Sequence, residues 1–138
     1  MKKLVLLLGV AVLAFAAVAS ASPSKEIMLG AKLDAMQDHA KSHGTGTFTA
    51  TLTGSKLSWH LSFKGLTGAA SAAHIHLGAK GKAGNVLIPL CGPCKRAEMG
   101  TVKLNAMQVR DLTKLATYVN VHTAKYPNGE IRGQIAAH

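Results

Sequence analysis

The chain contains 138 residues, of which 48% are hydrophobic and 4% aromatic, and its 16 Lys and Arg against six Asp and Glu give a formal net charge of +10. Six dispersed acids supply no pair for a two-carboxylate active site, and neither a Ser/His/Asp arrangement nor a phosphate-cradling loop can be identified in the sequence. Nucleic-acid binding is also disfavoured, because such proteins concentrate basic charge and interleave it with stacking aromatic residues.

The first 21 residues have the organisation of a secretory signal peptide. Lys2 and Lys3 precede an apolar run over 4–18, and the small residues at 19–21 form a cleavage pattern. Cleavage leaves residues 22–138 as one domain in which 14 basic residues face six acidic ones. We expect a secreted or periplasmic protein with no stable membrane span after cleavage. The alternative is an uncleaved anchor, although the apolar run is short for a full span.

Short runs of alternating apolar and polar residues, divided by glycine-rich turns, follow in the mature chain. Alternation with a period of two predicts half-buried strands, and Gly54-Ser55 between two runs predicts a hairpin. The predicted strands are 27–33, 47–53, 57–63, 72–77, 85–90, 99–104, 117–122 and 130–136. Eight short strands predict an all-β antiparallel sandwich or flattened barrel.

One segment departs from this pattern. Asn105 followed by Gln108 matches a helix start. Apolar residues then recur near helical spacing at Met107, Val109, Leu112 and Leu115. We predict one short helix that extends to Ala116 and bridges two strands. The stretch 34–43 is ambiguous, because Leu29, Leu33 and Met36 have helical spacing, but the clean alternation over 27–33 favours a strand followed by an irregular loop.

Three histidines occupy strand positions from which they can meet. His74 and His76 flank Ile75, and two strand residues separated by one project from the same face. The apolar residues of both runs have the opposite parity, which places His74, His76 and His122 on the face averted from the core. Neutral imidazoles suit copper and zinc, and three of them leave a coordination position open. The alternative is that these histidines hydrogen-bond to neighbouring loops and order the rim.

The same parity test applies to the run 57–63. It places Trp59 in the core and His60 on the outer face, where His60 is a candidate fourth member of the histidine group. The terminal His138 is expected on a frayed tail.

Cys91 and Cys94 form the string CGPCK, which also occurs at the active site of thioredoxins. A reactive dithiol of that kind lies at the start of a helix in a βαβ fold, and no such pattern surrounds it here. In an exported protein with two cysteines, a disulfide between Cys91 and Cys94 is the favoured interpretation. A redox dithiol and a thiolate metal site are the alternatives.

The run 126–129, YPNG, predicts a tight turn, because Pro suits its first corner and Asn-Gly tolerates positive φ. Glu130 and Arg132 then share one face of a strand. We expect them to be scaffold residues rather than catalytic ones, because exposed charge pairs are common on strands.

Three spans of the mature chain together resemble the CHRD domain, first described in chordin and common in bacterial secreted proteins. The spans are GTGTFTATLTGSKLSWHLSFKGLTG, AAHIHLGAKGKAGNVLIPLCG and YVNVHTAKYPNGEIRGQI. The most specific parts are AHIH with the glycines that follow it and NVHT followed by P-x-G-E-I-R-G-Q. The resemblance covers nearly the whole mature chain.

The CHRD family in turn looks like copper/zinc superoxide dismutase in its sandwich and in the placement of its histidines. This resemblance implies a Greek-key fold, copper-ligand positions for His74, His76 and His122, and a position for Arg132 near the arginine that guides superoxide. The loop 78–84 departs from that pattern, because it offers only glycine, alanine and lysine where the dismutase places its bridging ligand and zinc site. A zinc site of that kind is therefore not implied.

We thus expect residues 22–138 to form an exported CHRD domain that acts as a binding or structural module, with a candidate copper or zinc site at His74, His76 and His122. One alternative is a copper-dependent, dismutase-like oxidoreductase. Another is a basic interaction module for an anionic polymer or a protein partner.

Overall fold

Alternating burial along the chain produces the strands that the sequence predicts. The computed structural model describes residues 24–36 and 40–138, so the predicted signal peptide lies outside the described residues. The elements are β1 (Glu26–Asp34), β2 (Thr45–Thr53), β3 (Lys56–Lys64), β4 (Ala70–Leu77), β5 (Val86–Cys91), β6 (Ala97–Lys103), α1 (Ala106–Lys114), β7 (Thr117–Thr123), β8 (Ile131–Gln134) and β9 (Ala136–Ala137). All eight predicted strands are confirmed, and the last of them is divided into β8 and β9.

The strands form one antiparallel sheet that curves into a nearly closed barrel. Their hydrogen-bonded order is β5-β4-β7-β8-β1-β2-β3-β6, and β9 pairs with β1. The first three strands form a meander whose predicted hairpin turn contains Gly54 at a φ of +60°. The chain then crosses to β4, and later β6 returns to pair with β3 while β7 returns to pair with β4. This strand connectivity is that of a Greek key.

The inward faces of the strands meet in one hydrophobic core. Phe48, Leu61, Ile75 and Val119 are each at most 1% exposed. Complete burial of an apolar side chain of this size stabilises the fold by about 1.5–3 kcal/mol. Trp59 is 7% exposed, so its predicted place in the core is confirmed.

Helix α1 begins where the sequence predicts because Asn105 caps it. The Asn105 side chain accepts a hydrogen bond from the Gln108 N–H at 2.9 Å, and the Gln108 side chain accepts one from the Asn105 N–H at 3.0 Å. This reciprocal pair is a capping box. Leu112 is buried, whereas Met107 and Leu115 of the predicted apolar stripe are 59% and 53% exposed, because only one side of this short helix contacts the barrel.

The barrel stays open between β5 and β6, the two ends of the hydrogen-bonded order. Cys91 is the last residue of β5 and Cys94 lies in the short loop that leads to β6; their sulfur atoms lie at disulfide-bonding distance. The Cys94 N–H donates to the Ala70 carbonyl at 3.0 Å, which ties the loop to β4. Strand β6 follows this loop, in place of the helix that a thioredoxin-type dithiol requires. The arrangement agrees with the predicted disulfide.

The edge of β5 has two further features. Pro89 lies within the strand and has no N–H to offer. The Gln108 side-chain amide donates a hydrogen bond to the Leu87 carbonyl at 3.0 Å, so the cap of α1 also occupies this edge. Unpaired strand edges recruit other strands, and here Pro89 and the Gln108 side chain reduce the number of free backbone groups along β5.

A buried carboxylate ties three segments together. Glu130 is 0% exposed and accepts hydrogen bonds from the Ser42 hydroxyl at 2.6 Å, the Thr67 N–H at 2.7 Å, the Thr67 hydroxyl at 2.8 Å and the Thr123 hydroxyl at 2.6 Å. The expected exposure of Glu130 and Arg132 is therefore wrong, since Arg132 is only 3% exposed. Loops pack over this end of β7 and β8, and sequence alternation cannot show loops packed against a strand.

The pKa of Glu130 reflects two opposing effects. Burial raises it, but the hydrogen bonds from Ser42, Thr123 and Thr67 together outweigh burial and hold it below the ordinary value of 4.5. The folded protein therefore keeps Glu130 ionised and uses it as an acceptor for four donors.

We predict that Glu130→Gln lowers the free energy of unfolding by about 2–4 kcal/mol at pH 7, because its amide would place donors opposite donors. The folded-state pKa is depressed, so the stabilisation by Glu130 is present above pH 4.5 and is lost as the pH falls through the depressed value. Urea denaturation at pH 7 and pH 3 should show the difference between the two proteins shrinking in acid. The control Glu26→Gln, at an exposed residue, should change stability by less than about 0.5 kcal/mol. An equal loss in both variants would contradict this role.

Candidate metal centre

Strands β4 and β7 pair along their length and bring distant histidines together. Their register places Ala72 opposite His122 and His76 opposite Tyr118. One ring nitrogen from each of His74, His76 and His122 lies within 4.8 Å of the other two. The predicted convergence of the three rings is therefore observed, and we call these residues the three-histidine cluster.

Backbone carbonyls fix the orientation of two of the three rings. His76 Nδ1 lies 2.9 Å from the Gly84 carbonyl oxygen, and His122 Nδ1 lies 3.0 Å from that of Pro127. A carbonyl oxygen only accepts, so each Nδ1 carries the proton and each Nε2 presents a lone pair when the ring is neutral. His76 Nε2 is buried and has no hydrogen-bond partner within the described ranges 24–36 and 40–138. An orphaned, buried nitrogen lone pair of this kind is suited to bind a metal ion.

The third ring, His74, is linked directly to His122. His74 Nδ1 lies 3.1 Å from His122 Nε2. Because His122 Nε2 is the acceptor, His74 Nδ1 is the donor in this hydrogen bond. An ion bound between the same two nitrogens would replace that proton, and the neutral His74 ring would then carry its proton on Nε2.

Burial favours the neutral form of two rings of the cluster, those of His74 and His122. Burial lowers the pKa of His74, and the proximity of His76 lowers it further. Burial also lowers the pKa of His122; the hydrogen bond to Pro127 opposes this effect, whereas His74 and His76 add to it. Neutral imidazole is the form that binds metal ions, so the lowered pKa values of His74 and His122 favour the metal-binding form of these two rings at pH 7.

The cluster lies on the face averted from the core, as predicted, but it is not open to solvent. His76 is 8% and His122 is 9% exposed, while His74 is only partly buried. The two carbonyl groups that orient the rings belong to loops, and these loops cover the outer face of β4 and β7. His74 therefore marks the side from which an ion or small molecule reaches the cluster.

The loop 78–84, here called the cover loop, lies against His76. The Tyr118 ring stacks on the His76 ring at a centroid distance of 5.0 Å and an angle of 10°. The Tyr118 hydroxyl accepts a hydrogen bond from the Gly84 N–H at 3.2 Å. The Gly84 backbone thus binds both side chains: its N–H donates to the Tyr118 hydroxyl, and its carbonyl accepts from His76 Nδ1.

Arg132 holds the opposite end of the cover loop. Its Nη2 donates to the Ala79 carbonyl at 2.8 Å and to the Gln134 side-chain oxygen at 3.0 Å, and its guanidinium lies 3.3 Å from the centroid of the Tyr118 ring. Arg132 is 3% exposed, so it does not face solvent as an arginine that guides an anion must. Arg132 therefore has the scaffold role that the sequence analysis expects, because this side chain holds the cover loop.

His60 lies elsewhere in the barrel. It is exposed on β3, where it stands opposite Thr49 and Met99, and it is not a member of the three-histidine cluster. Sequence reasoning missed the functional groups of Gly84 and Pro127, since a backbone carbonyl leaves no trace in residue identity. The surplus of glycines after AHIH was the available signal that a backbone segment approaches the site closely.

The residues of this site lie in a segment that matches a known protein family. The CHRD domain family matches residues 29–135. This chain is a member of the CHRD domain family. No curated protein and no solved structure matches it. The matched part of this CHRD domain contains all three clustered histidines, the cover loop and Arg132.

Within the described residues of this CHRD domain, no helix has the length and hydropathy needed to span a bilayer.

We predict that Gly84→Ala destabilises the CHRD domain by about 1–3 kcal/mol. A Cβ on Gly84 would overlap the Leu77 carbonyl oxygen, so the cover loop would have to move away from β4. Urea denaturation measures this cost. Gly68→Ala is the matched control, because a Cβ there meets no atom within 4 Å, and it should be close to neutral. A neutral Gly84→Ala variant would show that the loop does not pack as described.

Proposed function

We propose that this protein is an exported CHRD-domain binding module that holds one copper or zinc ion at His74, His76 and His122. The observation that carries the proposal is the pair of carbonyl groups, on Gly84 and Pro127, that leave the Nε2 lone pairs of His76 and His122 in the same buried space. Hydrogen bonds from a ligand's second nitrogen to a carbonyl are typical of metal-binding histidines.

The spacing of the ring nitrogens suits such an ion. Bonds of about 2.0–2.1 Å in tetrahedral geometry place the ligand nitrogens about 3.3 Å apart. The His74–His122 separation of 3.1 Å is already close to this value, and the widest separation of 4.8 Å must shorten by about 1.5 Å.

Copper is the preferred ion on chemical grounds. All three donors are neutral imidazoles, and nitrogen sites bind Cu²⁺ more tightly than Zn²⁺ when both are available. Bound at such a site, copper supplies a redox-active Lewis acid, while the protein residues hold the ligands, exclude water on the cover-loop side and leave access beside His74.

The proposal of export rests on the predicted signal peptide. Residues 1–21 have the charged, apolar and small-residue regions of a signal peptide, and CHRD domains are typical of extracellular proteins. We therefore place the mature protein in the periplasm or outside the cell. In these compartments the protein encounters copper without the competing thiol compounds of the cytosol.

A second candidate is a copper-dependent, dismutase-like oxidoreductase. It is favoured by the three-ligand geometry, which leaves one coordination position free for a small substrate, and by the family's likeness to copper/zinc superoxide dismutase. The burial of Arg132 argues against it, because this charge then does not face the entrance beside His74.

A third candidate is a basic module for an anionic polymer or a protein partner. A depression of about 530 Å³ on the β1-β2-β3 face is lined by Lys32 and Lys64 together with Thr45, Thr47 and Ser62. Ammonium groups beside hydroxyl donors suit sulfate or carboxylate groups of a polysaccharide. Metal titration separates this candidate from the first.

We expect one equivalent of Cu²⁺ to bind to the purified protein and to give an electron spin resonance spectrum with nitrogen hyperfine structure. His122→Gln should weaken Cu²⁺ affinity at least ~100-fold, since losing a ligand costs more than losing its supporting hydrogen bond. The control His43→Gln, at an exposed histidine outside the cluster, should bind as the parent does. Stoichiometric nitrogen-bound copper that persists in the His122→Gln variant would refute the proposed site.

The oxidoreductase candidate predicts that the copper-loaded protein consumes superoxide. This activity should be lost in His122→Ala and retained in Lys82→Ala, which changes an exposed residue of the cover loop. A copper-loaded protein with an intact spin resonance spectrum and no superoxide turnover would leave the binding module as the function.

A further inference from the structure

A buried amide lies beside the three-histidine cluster and uses only one end of its side chain. Asn120 on β7 is 2% exposed, and its Nδ2 donates a hydrogen bond to the Asn128 carbonyl at 3.1 Å. Its Oδ1 is buried and has no hydrogen-bond partner among residues 24–36 and 40–138. Buried acceptors are nearly always hydrogen-bonded in folded proteins, so an acceptor of this kind points to a ligand.

The sheet register places this amide next to the cluster. Asn120 stands directly opposite His74 on β4, and directly opposed residues have Cβ atoms about 4.5–5.5 Å apart. Asn120 and His122 are separated by one residue of β7, so both side chains lie on the same face. Asn120 therefore adjoins two members of the cluster, on the side where the partly buried His74 gives access.

One turn orients both His122 and Asn120. The Pro127 carbonyl accepts a hydrogen bond from His122 Nδ1, and the next carbonyl, that of Asn128, accepts one from Asn120 Nδ2. Because a carbonyl only accepts, the amide nitrogen of Asn120 is the atom that faces the turn. Each side chain thus keeps its donor on the turn and has its acceptor at the other end, Nε2 for His122 and Oδ1 for Asn120.

The reach and the chemistry of this oxygen distinguish it from a metal ligand. The amide oxygen of an asparagine is one bond closer to Cβ than the Nε2 of a histidine, so it extends less far from the sheet than the ring nitrogens of His76 and His122. Carbonyl oxygen also suits Mg²⁺, Ca²⁺ and Mn²⁺ rather than copper. Asn120 Oδ1 is therefore suited to contact a molecule bound to the ion rather than the ion itself.

We propose that Asn120 Oδ1 accepts a hydrogen bond from the small ligand that occupies the coordination position left open by the three histidines. This inference rests on the metal site proposed above. Because Oδ1 only accepts, the ligand that it favours is neutral and carries an O–H or N–H, as water and hydrogen peroxide do. The same oxygen disfavours an anion without a proton, such as azide or superoxide, because its partial negative charge repels that anion. Asn120 is thus a specificity-determining residue of the site.

Azide binding to the Cu²⁺-loaded protein tests this selectivity, because azide must displace the water that Asn120 favours. Titration followed by the azide-to-copper absorbance band gives the affinity. Asn120→Leu keeps the side-chain volume but removes the acceptor, so its azide affinity should rise about 3–10-fold, the equivalent of one hydrogen bond. The matched control is Asn85→Leu, the same substitution at an exposed asparagine outside the cluster, and it should bind azide as the parent does.

A measurement on the parent protein avoids any dependence on the folding of the leucine variant. Zn²⁺ is the diamagnetic probe, and the protein carries ¹³C at the asparagine side-chain carbonyls. The Asn120 Cγ resonance should move downfield when Zn²⁺ is added, as its oxygen gains a hydrogen bond, and should return toward the metal-free position when azide replaces the water. The Asn85 Cγ resonance should respond to neither addition.

Two results would overturn the proposal while leaving the metal site in place. One is nitrogen-coordinated Cu²⁺ with unchanged azide affinity in Asn120→Leu, which would assign Oδ1 to a structural water. The other is an Asn120 Cγ resonance that does not respond to azide in the Zn²⁺-loaded parent. A parent protein that binds neither ion would instead refute the three-histidine site, and this inference with it, so the two kinds of failure are distinguishable.

Discussion

The candidate site depends on how a polar sheet face becomes buried. The outer side of β4, β7 and β8 carries His, Tyr, Asn, Arg and Gln side chains, and an unsatisfied polar group buried there would cost about 1–3 kcal/mol. Two loops meet this demand through their backbones. Gly84 and Pro127 provide carbonyls for two imidazoles, and Asn128 provides one for Asn120 at 3.1 Å. The hydrogen bonds that allow burial of His76 and His122 also set the tautomer of each ring. The same contacts therefore stabilise the packing and prepare the ligands.

Alternation in the sequence was sufficient for the fold and for the side of each strand on which a residue lies. Ile75 and Val119 point inward and His74 points outward because the period of a strand is two. Helix α1 was also predictable, since Asn105 and Gln108 are the two halves of a local motif. These features depend on residues within a few positions of one another.

The environment of the site was not predictable in the same way. Burial of Glu130 and Arg132 depends on loops that contact them from distant parts of the chain, such as Ser42 and Ala79. His138 lies on the sheet rather than on the expected frayed tail: its ring lies over Gly30, more than a hundred residues earlier, and its N–H donates to the Met28 carbonyl at 3.0 Å. No local period encodes such contacts, and a single sequence gives no record of which residues vary together.

The opening between β5 and β6 bears on how this barrel behaves among copies of itself. An incomplete ring of strands presents backbone donors and acceptors to any neighbouring extended chain, which is the usual route to runaway strand addition. Three features oppose strand addition at this edge. They are Pro89, the side-chain amide of Gln108 and the loop closed by Cys91 and Cys94. The gap between β5 and β6 can therefore persist in the folded barrel without promoting polymerisation by strand addition.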